Sequence, residues 1–109
     1  MAISMDGGTV TKVVVKATPG NVFAARVTNA NAALRYFQFH NKATAPAGAD
    51  VPVLSFPIPV SGGIMAVGAE FLGGSAEFTV GVAWAISTTA ATFTDSATAN
   101  EHTVILRFG

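Results

Sequence analysis

Two histidines and six carboxylates are the residues of this sequence that could bind a metal ion or transfer protons. A zinc site needs three or four ligands that converge on one point. His40 and His102 lie on separate predicted strands, without the local spacing of metal ligands. Paired carboxylates could act as acid and base, but no two of them share a tight motif. We therefore expect no metal, no cofactor and no catalytic residue. The carboxylates are Asp6, Asp50, Glu70, Glu77, Asp95 and Glu101.

The motifs of covalent catalysis and of phosphate binding are also missing from the sequence. It contains no cysteine, which excludes a thiol nucleophile, a thiolate metal site and a disulfide scaffold. Ser87 follows a predicted strand, but no G-x-S-x-G elbow surrounds it. The segment Gly73-Gly74-Ser75 leads into a strand rather than a helix, so it does not form a phosphate-binding loop. The sequence predicts a protein that is not an enzyme.

The composition indicates a surface that is meant to be covered. Half of the 109 residues are hydrophobic and only 11% are charged, whereas soluble domains average about 25% charged residues. A monomer with so few charges tends to associate, so we expect contacts with partner proteins or with further copies of the chain. The basic residues form no stripe, and no apolar run has the length of a membrane helix, so we expect neither nucleic acid nor membrane as a partner. The basic residues are Lys12, Lys16, Arg26, Arg35, Lys42 and Arg107.

Hydrophobic residues recur with a period of two, which is typical of β-strands buried on one face. In the clearest case, 76–87, five large apolar residues from Phe78 to Ile86 would share one face of a single strand. Turn-forming Gly, Pro and Asn residues separate such segments. We expect one all-β domain over 1–109, a jelly-roll-like antiparallel β-sandwich of about seven to eight strands, with 1–8 as a flexible or arm-like N-terminus. The predicted strands are 11–17, 21–28, 34–41, 51–56, 64–71, 76–87 and 102–108.

Prolines place the segment 51–60 at the border of a sheet. Proline donates no hydrogen bond to a neighbouring strand, so this segment must form an edge strand or an extended arm. Its apolar residues would pack either within the domain or against a neighbouring chain. Together with Tyr36, which could instead form a sugar-binding platform, the segment supplies the candidate oligomer or capsid interface. The candidate residues are Pro52, Phe56, Pro57, Ile58, Pro59 and Tyr36.

Two stretches, 27–42 with the following Pro46 and Val51-Pro52-Val53, and 81–89, resemble a known group of proteins. They are similar to small virion-associated proteins of tailed bacteriophages, and most of all to capsid decoration (cement) proteins. The resemblance implies a jelly-roll-like or other β-sandwich domain that is assembled in the host cytoplasm and sits on the capsid exterior. It also implies homotrimers that bridge subunits of the major capsid protein.

Three hypotheses about function follow from the sequence. The first is a structural virion protein that stabilises the capsid by bridging its subunits. The second is a carbohydrate- or receptor-binding module of a phage head fibre or tail, which would use exposed aromatic and carboxylate side chains on its loops. The third is a small enzyme, for which the residues provide no reactive grouping.

Overall fold

The alternating segments of the chain form β-strands throughout, and the computed structural model describes residues 2–68, 73–98 and 100–109. Within these residues there are nine strands and no helix, and therefore no helix that could cross a membrane. The strands are β1 (Ala2–Asp6), β2 (Lys12–Lys16), β3 (Gly20–Asn29), β4 (Arg35–Asn41), β5 (Leu54–Ile58), β6 (Gly63–Val67), β7 (Ala76–Phe78), β8 (Val82–Ser87) and β9 (His102–Phe108).

The strands form two antiparallel sheets with the connectivity of a jelly roll. The five-stranded sheet has the order β1-β9-β3-β6, and the short β7 also pairs with β3. The four-stranded sheet has the order β2-β8-β4-β5. Strands that follow each other in sequence thus tend to lie in opposite sheets, as the double Greek key of a jelly roll requires. The predicted all-β sandwich is confirmed, with nine described strands instead of seven to eight.

The core lies between the two sheets and is centred on aromatic side chains. Trp84 on β8 packs against Phe37 on β4, with 5.7 Å between their ring centroids. Phe39 makes edge-on contacts with Phe37 at 4.9 Å and with Phe78 at 5.8 Å. Such aromatic pairs add to the stabilisation that comes from burying their large apolar area. Aliphatic residues of both sheets complete the core: Val22, Val27, Ile58, Met65, Val67, Val82, Ile86, Val104 and Leu106.

The prediction of one continuous strand over 76–87 is wrong, because the chain crosses from one sheet to the other within it. β7 pairs with β3 in the five-stranded sheet, whereas β8 pairs with β2 and β4 in the four-stranded sheet. The side chain of Asn41 fixes the crossing, since its Oδ1 accepts hydrogen bonds from the N–H groups of Val80 at 2.9 Å and Gly81 at 3.3 Å. A Cβ atom on Gly81 would collide with the carbonyl oxygen of Lys42, so the crossing requires glycine there.

The N-terminal segment also differs from the expectation. Residues 2–6 of the predicted arm 1–8 form the edge strand β1, which pairs with β9 from Ala2 opposite Phe108 to Asp6 opposite Val104. Asp6 anchors the following turn, because its Oδ1 accepts the N–H groups of Gly8 at 2.7 Å and Thr9 at 3.0 Å. Local side-chain bonds of this type define Asx turns. Gly8 has a φ of 102°, which glycine adopts readily.

The remaining strands agree with the sequence pattern apart from their ends. β5 is an edge strand of the four-stranded sheet, which confirms that the prolines of 51–60 exclude a central position. The predicted strand 64–71 corresponds to β6 (Gly63–Val67), and its positions 69–71 lie outside the described residues.

Replacing Trp84 by alanine is expected to lower the free energy of unfolding by about 3–5 kcal/mol, as for other large truncations in a core. Trp84 is only 1% exposed and stands at the centre of the aromatic cluster. The control is Val80→Ala, because Val80 is 50% exposed in the crossing between β7 and β8, and its loss should cost at most about 0.5 kcal/mol. Chemical denaturation followed by circular dichroism measures both. Equal effects of the two substitutions would contradict this assignment of the core.

Candidate interaction surface on the five-stranded sheet

The six residues selected from the sequence do not form one surface. Ile58 is fully buried and cannot be offered to a partner, so for this residue the structure corrects the expectation. Phe56 is half-buried and packs against the core. The reason is register: Phe56 lies opposite the buried Phe37, which turns it and Ile58 towards the inside of the sandwich.

The other candidate residues remain near the surface along β5. Tyr36 lies opposite Pro57 in the pairing of β4 with β5, so the two share the outer face of the four-stranded sheet. Pro57 and Pro59 are exposed, whereas Tyr36 and Pro52 are half-buried. Tyr36 is therefore only partly accessible, on the strand next to the edge strand.

Two loops cover most of the outer face of the four-stranded sheet. They span 42–53 and 88–98, and they are joined by backbone hydrogen bonds from Ala49 N–H to Phe93 O at 2.9 Å and from Phe93 N–H to Asp50 O at 2.7 Å. Phe93 belongs to the second loop, and its ring is buried 6.0 Å from the ring of His40. The small side chains of β8 that point to this face, Ala83, Ala85 and Ser87, are also fully buried. We call these two segments the loop layer.

A buried glutamine holds the loop layer on the sheet. The side-chain amide of Gln38 donates towards the carbonyl oxygens of Thr89 at 2.9 Å, Ala90 at 3.2 Å and Thr92 at 3.1 Å. Its oxygen can only accept, so His40 donates its Nε2–H to it over 3.1 Å. Gln38 shares this role with Ser87, whose hydroxyl also lies within hydrogen-bond distance of the carbonyl oxygens of Thr89 and Thr92. A buried carbonyl group without a donor would cost about 1–3 kcal/mol.

Both histidines are buried, and they lie at separate places in the fold. Burial lowers the pKa of His40, although Asp50 opposes this shift and Lys42 adds to it. Burial likewise lowers the pKa of His102, against the influence of Glu101 and with that of Arg35. The two histidines belong to different sheets, on β4 and β9. In the part of the chain that the structure describes, no three His, Cys, Asp or Glu side chains are grouped as metal ligands.

The acidic residues near the histidines are engaged in structural contacts. Asp50 accepts a hydrogen bond from Lys42 Nζ at 2.5 Å and another from the backbone of Ala47 at 2.8 Å, and these two bonds lower its pKa. Glu101 accepts a hydrogen bond from the side chain of Asn31, which links β9 to the turn between β3 and β4. These contacts brace loops and do not create a reactive pair.

The outer face of the five-stranded sheet, in contrast, has no loop over it among the described residues. Its strands bring apolar side chains into register: Met5 lies opposite Ile105, Ile105 opposite Arg26, and Arg26 opposite Ala66. Residues opposite each other in antiparallel strands share one face. The large apolar residues exposed there are Ile3, Met5, Ile64 and Ile105. We call this surface the open face.

Small residues make the middle of the open face concave. Ala24, Ala66 and Gly68 lie beside Ile105 and border a shallow groove of about 390 Å³. Arg26 and Arg107 flank this groove. Among the described residues the ion pairs are Lys12 with Asp95 and Lys42 with Asp50, so neither arginine forms an ion pair with a carboxylate in that part of the chain.

The open face therefore offers, on an apolar background, two guanidinium groups that have no ion-pair partner among the residues described. Glu77 belongs to the same sheet, opposite Asn21, but it forms no ion pair with either arginine. Arginine forms bidentate hydrogen bonds with carboxylates and is enriched among the anchor residues of protein interfaces. This arrangement can bind an apolar protein surface that carries acidic groups.

The sequence contains a sign of the open face that goes beyond the alternation of apolar and polar residues. Ile105 alternates with the core residues Val104 and Leu106, so β9 carries large apolar residues on both faces. A strand with two apolar faces needs cover on both. Ile3 and Met5 add large apolar residues to the same outer face from β1, within the segment that was expected to be an arm.

Comparisons of the chain with protein-family models, with curated proteins and with solved structures found no match. The geometry of the open face and of the loop layer is therefore the basis for assigning a function.

The buried histidines predict that the protein loses stability when the pH falls from about 7.5 to 5. Both pKa values are lowered below the ordinary value of 6.5 in the folded protein, so the unfolded chain binds more protons in this range. A state that binds more protons is favoured as the pH falls, and the free energy of unfolding must decrease. Urea denaturation at pH 7.5, 6 and 5 measures the change.

The matched control is the double variant His40→Gln, His102→Gln, which cannot titrate between pH 5 and 7.5 and should show a flatter dependence. Asp50 and Asp95, whose pKa values are lowered from 3.8, contribute losses only in more acidic solution. A wild-type protein that is equally stable at pH 5 and pH 7.5 would contradict the assignment of buried neutral histidines.

Proposed function

We propose that this chain is a non-catalytic structural protein that decorates the outside of a phage capsid and bridges subunits of the major capsid protein. The observation that carries the proposal is the open face, where Ile3, Met5, Ile64 and Ile105 accompany two arginines without an ion-pair partner in the described part of the chain. Contiguous exposed apolar surface on a soluble domain marks sites of interaction with other proteins. The choice of a capsid as the partner rests on the sequence resemblance.

The side chains of the open face suit tight binding to a rigid surface. Ala24, Ala66, Thr28 and Thr103 have few rotamers to lose, whereas ordering a long flexible side chain costs about 0.5–1.5 kcal/mol. Arg26 and Arg107 can fix the orientation of a bound partner, because a guanidinium group fits a carboxylate in a defined plane. A capsid also offers many equal sites, so that a protein with more than one docking face gains from multivalency.

The roles of the titratable side chains also favour a structural function. His40 is tied to Gln38 beneath the loop layer, Asp50 is paired with Lys42, and Asp95 is paired with Lys12. Each of these contacts stabilises a loop or a sheet edge. None of the contacts aligns a nucleophile with a base, which is the arrangement that acyl transfer would require.

A carbohydrate- or receptor-binding module of a phage fibre or tail is the second candidate, because jelly rolls also occur as lectin domains. Sugar platforms use exposed aromatic rings. Among the described residues no aromatic side chain is fully exposed, and Tyr36 is half-buried opposite Pro57. The geometry therefore favours protein docking, and specific binding on a glycan array would favour the second candidate instead.

Reversing the charge of the open face is expected to weaken binding to capsids. Arg26→Glu and Arg107→Glu should each reduce affinity at least tenfold, the factor that corresponds to about 1.4 kcal/mol, because an arginine–carboxylate contact becomes a repulsion. Co-sedimentation with capsids that lack the protein measures the affinity, and electron microscopy should show regular knobs at capsomer junctions.

Lys16→Glu is the control, since it reverses one charge on β2 in the other sheet. Capsid binding by this control should stay near the wild-type value. The proposed function would be refuted if electron microscopy showed density only at the tail or on sparse fibres. It would also be refuted if all three variants bound capsids equally.

A further inference from the structure

The backbone of β1 carries hydrogen-bonding groups that point away from the rest of its sheet. Gly109, which directly follows β9, exchanges two backbone hydrogen bonds with Asn21, at 2.8 Å and 2.9 Å. Glu101, which directly precedes β9, accepts the N–H of Ala30 with its carbonyl oxygen at 2.7 Å. The odd-numbered residues of β9 therefore bond towards β3 and the even-numbered ones towards β1, as the alternation of antiparallel strands requires. In agreement, Asn100 N–H donates to Gly8 O at 2.5 Å.

This alternation determines which groups of β1 are free. The even residues Phe108, Leu106 and Val104 lie opposite Ala2, Ser4 and Asp6, so these three residues of β1 bond to β9. The N–H and C=O groups of the two residues between them, Ile3 and Met5, consequently point outward from the edge of the sheet. Their side chains are 69% and 71% exposed.

The edges formed by β2, β5 and β6 carry features that hinder pairing with another chain, whereas β1 has no proline and no bulge, and its one charged residue is Asp6 at its end. β2 has lysines at both ends and a bulge between Val14 and Lys16. β5 contains Pro57, and β6 lies against β5 at the corner between the two sheets. Charges, bulges, prolines and covered edges are the devices by which proteins prevent edge-to-edge association. β1 is uncharged from Ala2 to Met5, and it pairs with β9 without a bulge.

We propose that β1 pairs antiparallel with β1 of a second copy of this chain, about a twofold axis at Ser4. In this register Ile3 faces Met5 of the second copy, and the two residues exchange both of their free hydrogen bonds, which gives four bonds in all. Asp6 then faces the neutral Ala2, so no like charges meet. Stacking two open faces would instead bring four arginines, Arg26 and Arg107 of each copy, into one interface, and like charges close together are unfavourable.

The pairing gives a closed dimer in place of the trimer that the sequence resemblance implies. An interface about a twofold axis uses the same patch on both copies and leaves neither β1 edge free. The two five-stranded sheets become one continuous sheet, and both open faces lie on the same side of it. This inference does not depend on the proposed function, because the mass of the free protein tests it.

The test is the molar mass of the purified full chain, measured by light scattering after size exclusion over a range of concentrations. The wild type should have twice the chain mass of 11.1 kDa. Ile3→Lys places a charge in the interface and should reduce the mass to that of one chain. Val51→Lys is the matched control, because Val51 is equally exposed, at 73%, but lies in the loop layer, and it should remain dimeric.

A second pair of variants isolates the backbone contribution. Met5→Pro removes an outward N–H but no bond to β9, so the variant should keep the wild-type circular dichroism and melt as a folded monomer. Met5→Leu keeps the N–H and should remain dimeric. The proposal would be overturned if the wild type had the mass of one or three chains. It would also be overturned if Met5→Pro or Ile3→Lys remained dimeric, or if Val51→Lys or Met5→Leu became monomeric. Arg26→Glu and Arg107→Glu change only capsid binding, so the two proposals can fail separately.

Discussion

A two-layer sandwich can bury only the two inner faces of its sheets, and this limit governs the rest of the structure. In the four-stranded sheet, part of the outer face is buried as well, because the loop layer covers it. That cover depends on Gln38, whose amide group binds three loop carbonyls and accepts a hydrogen bond from His40. The five-stranded sheet has no equivalent cover among the described residues, although Ile64 and Ile105 make its outer face apolar.

The asymmetry between the two sheets connects the composition of the chain to its proposed role. A chain with few charges has to place many apolar groups, and after the core and the loop layer are filled the surplus lies on the open face. Arg26 and Arg107 keep this face compatible with water and give it a preference for acidic partners. The free edge of β1 continues the same face, so self-association and docking use adjoining parts of one sheet.

Most of the fold could be predicted from the sequence, because side chains with a period of two allow only strands, and prolines restrict β5 to an edge. The crossing between β7 and β8 could not be predicted, since Val80 continues the apolar alternation and the contact of Gly81 with Lys42 is visible only in three dimensions. Two placements were wrong for a related reason. Periodicity separates two faces of a strand but does not say which face is covered, and so Ile58 was expected outside and Ile3 in an arm.

Hydroxyl-radical footprinting of the free and the capsid-bound protein tests most directly whether the open face is the surface that a partner covers. Ile64 lies on that face, at a distance from the β1 edge, and Val51 is exposed in the loop layer on the opposite side of the sandwich. Both should be labelled in the free protein, while the buried Ile86 is not. On binding, Ile64 should become protected and Val51 should remain labelled; protection of Val51 with continued labelling of Ile64 would contradict the assignment.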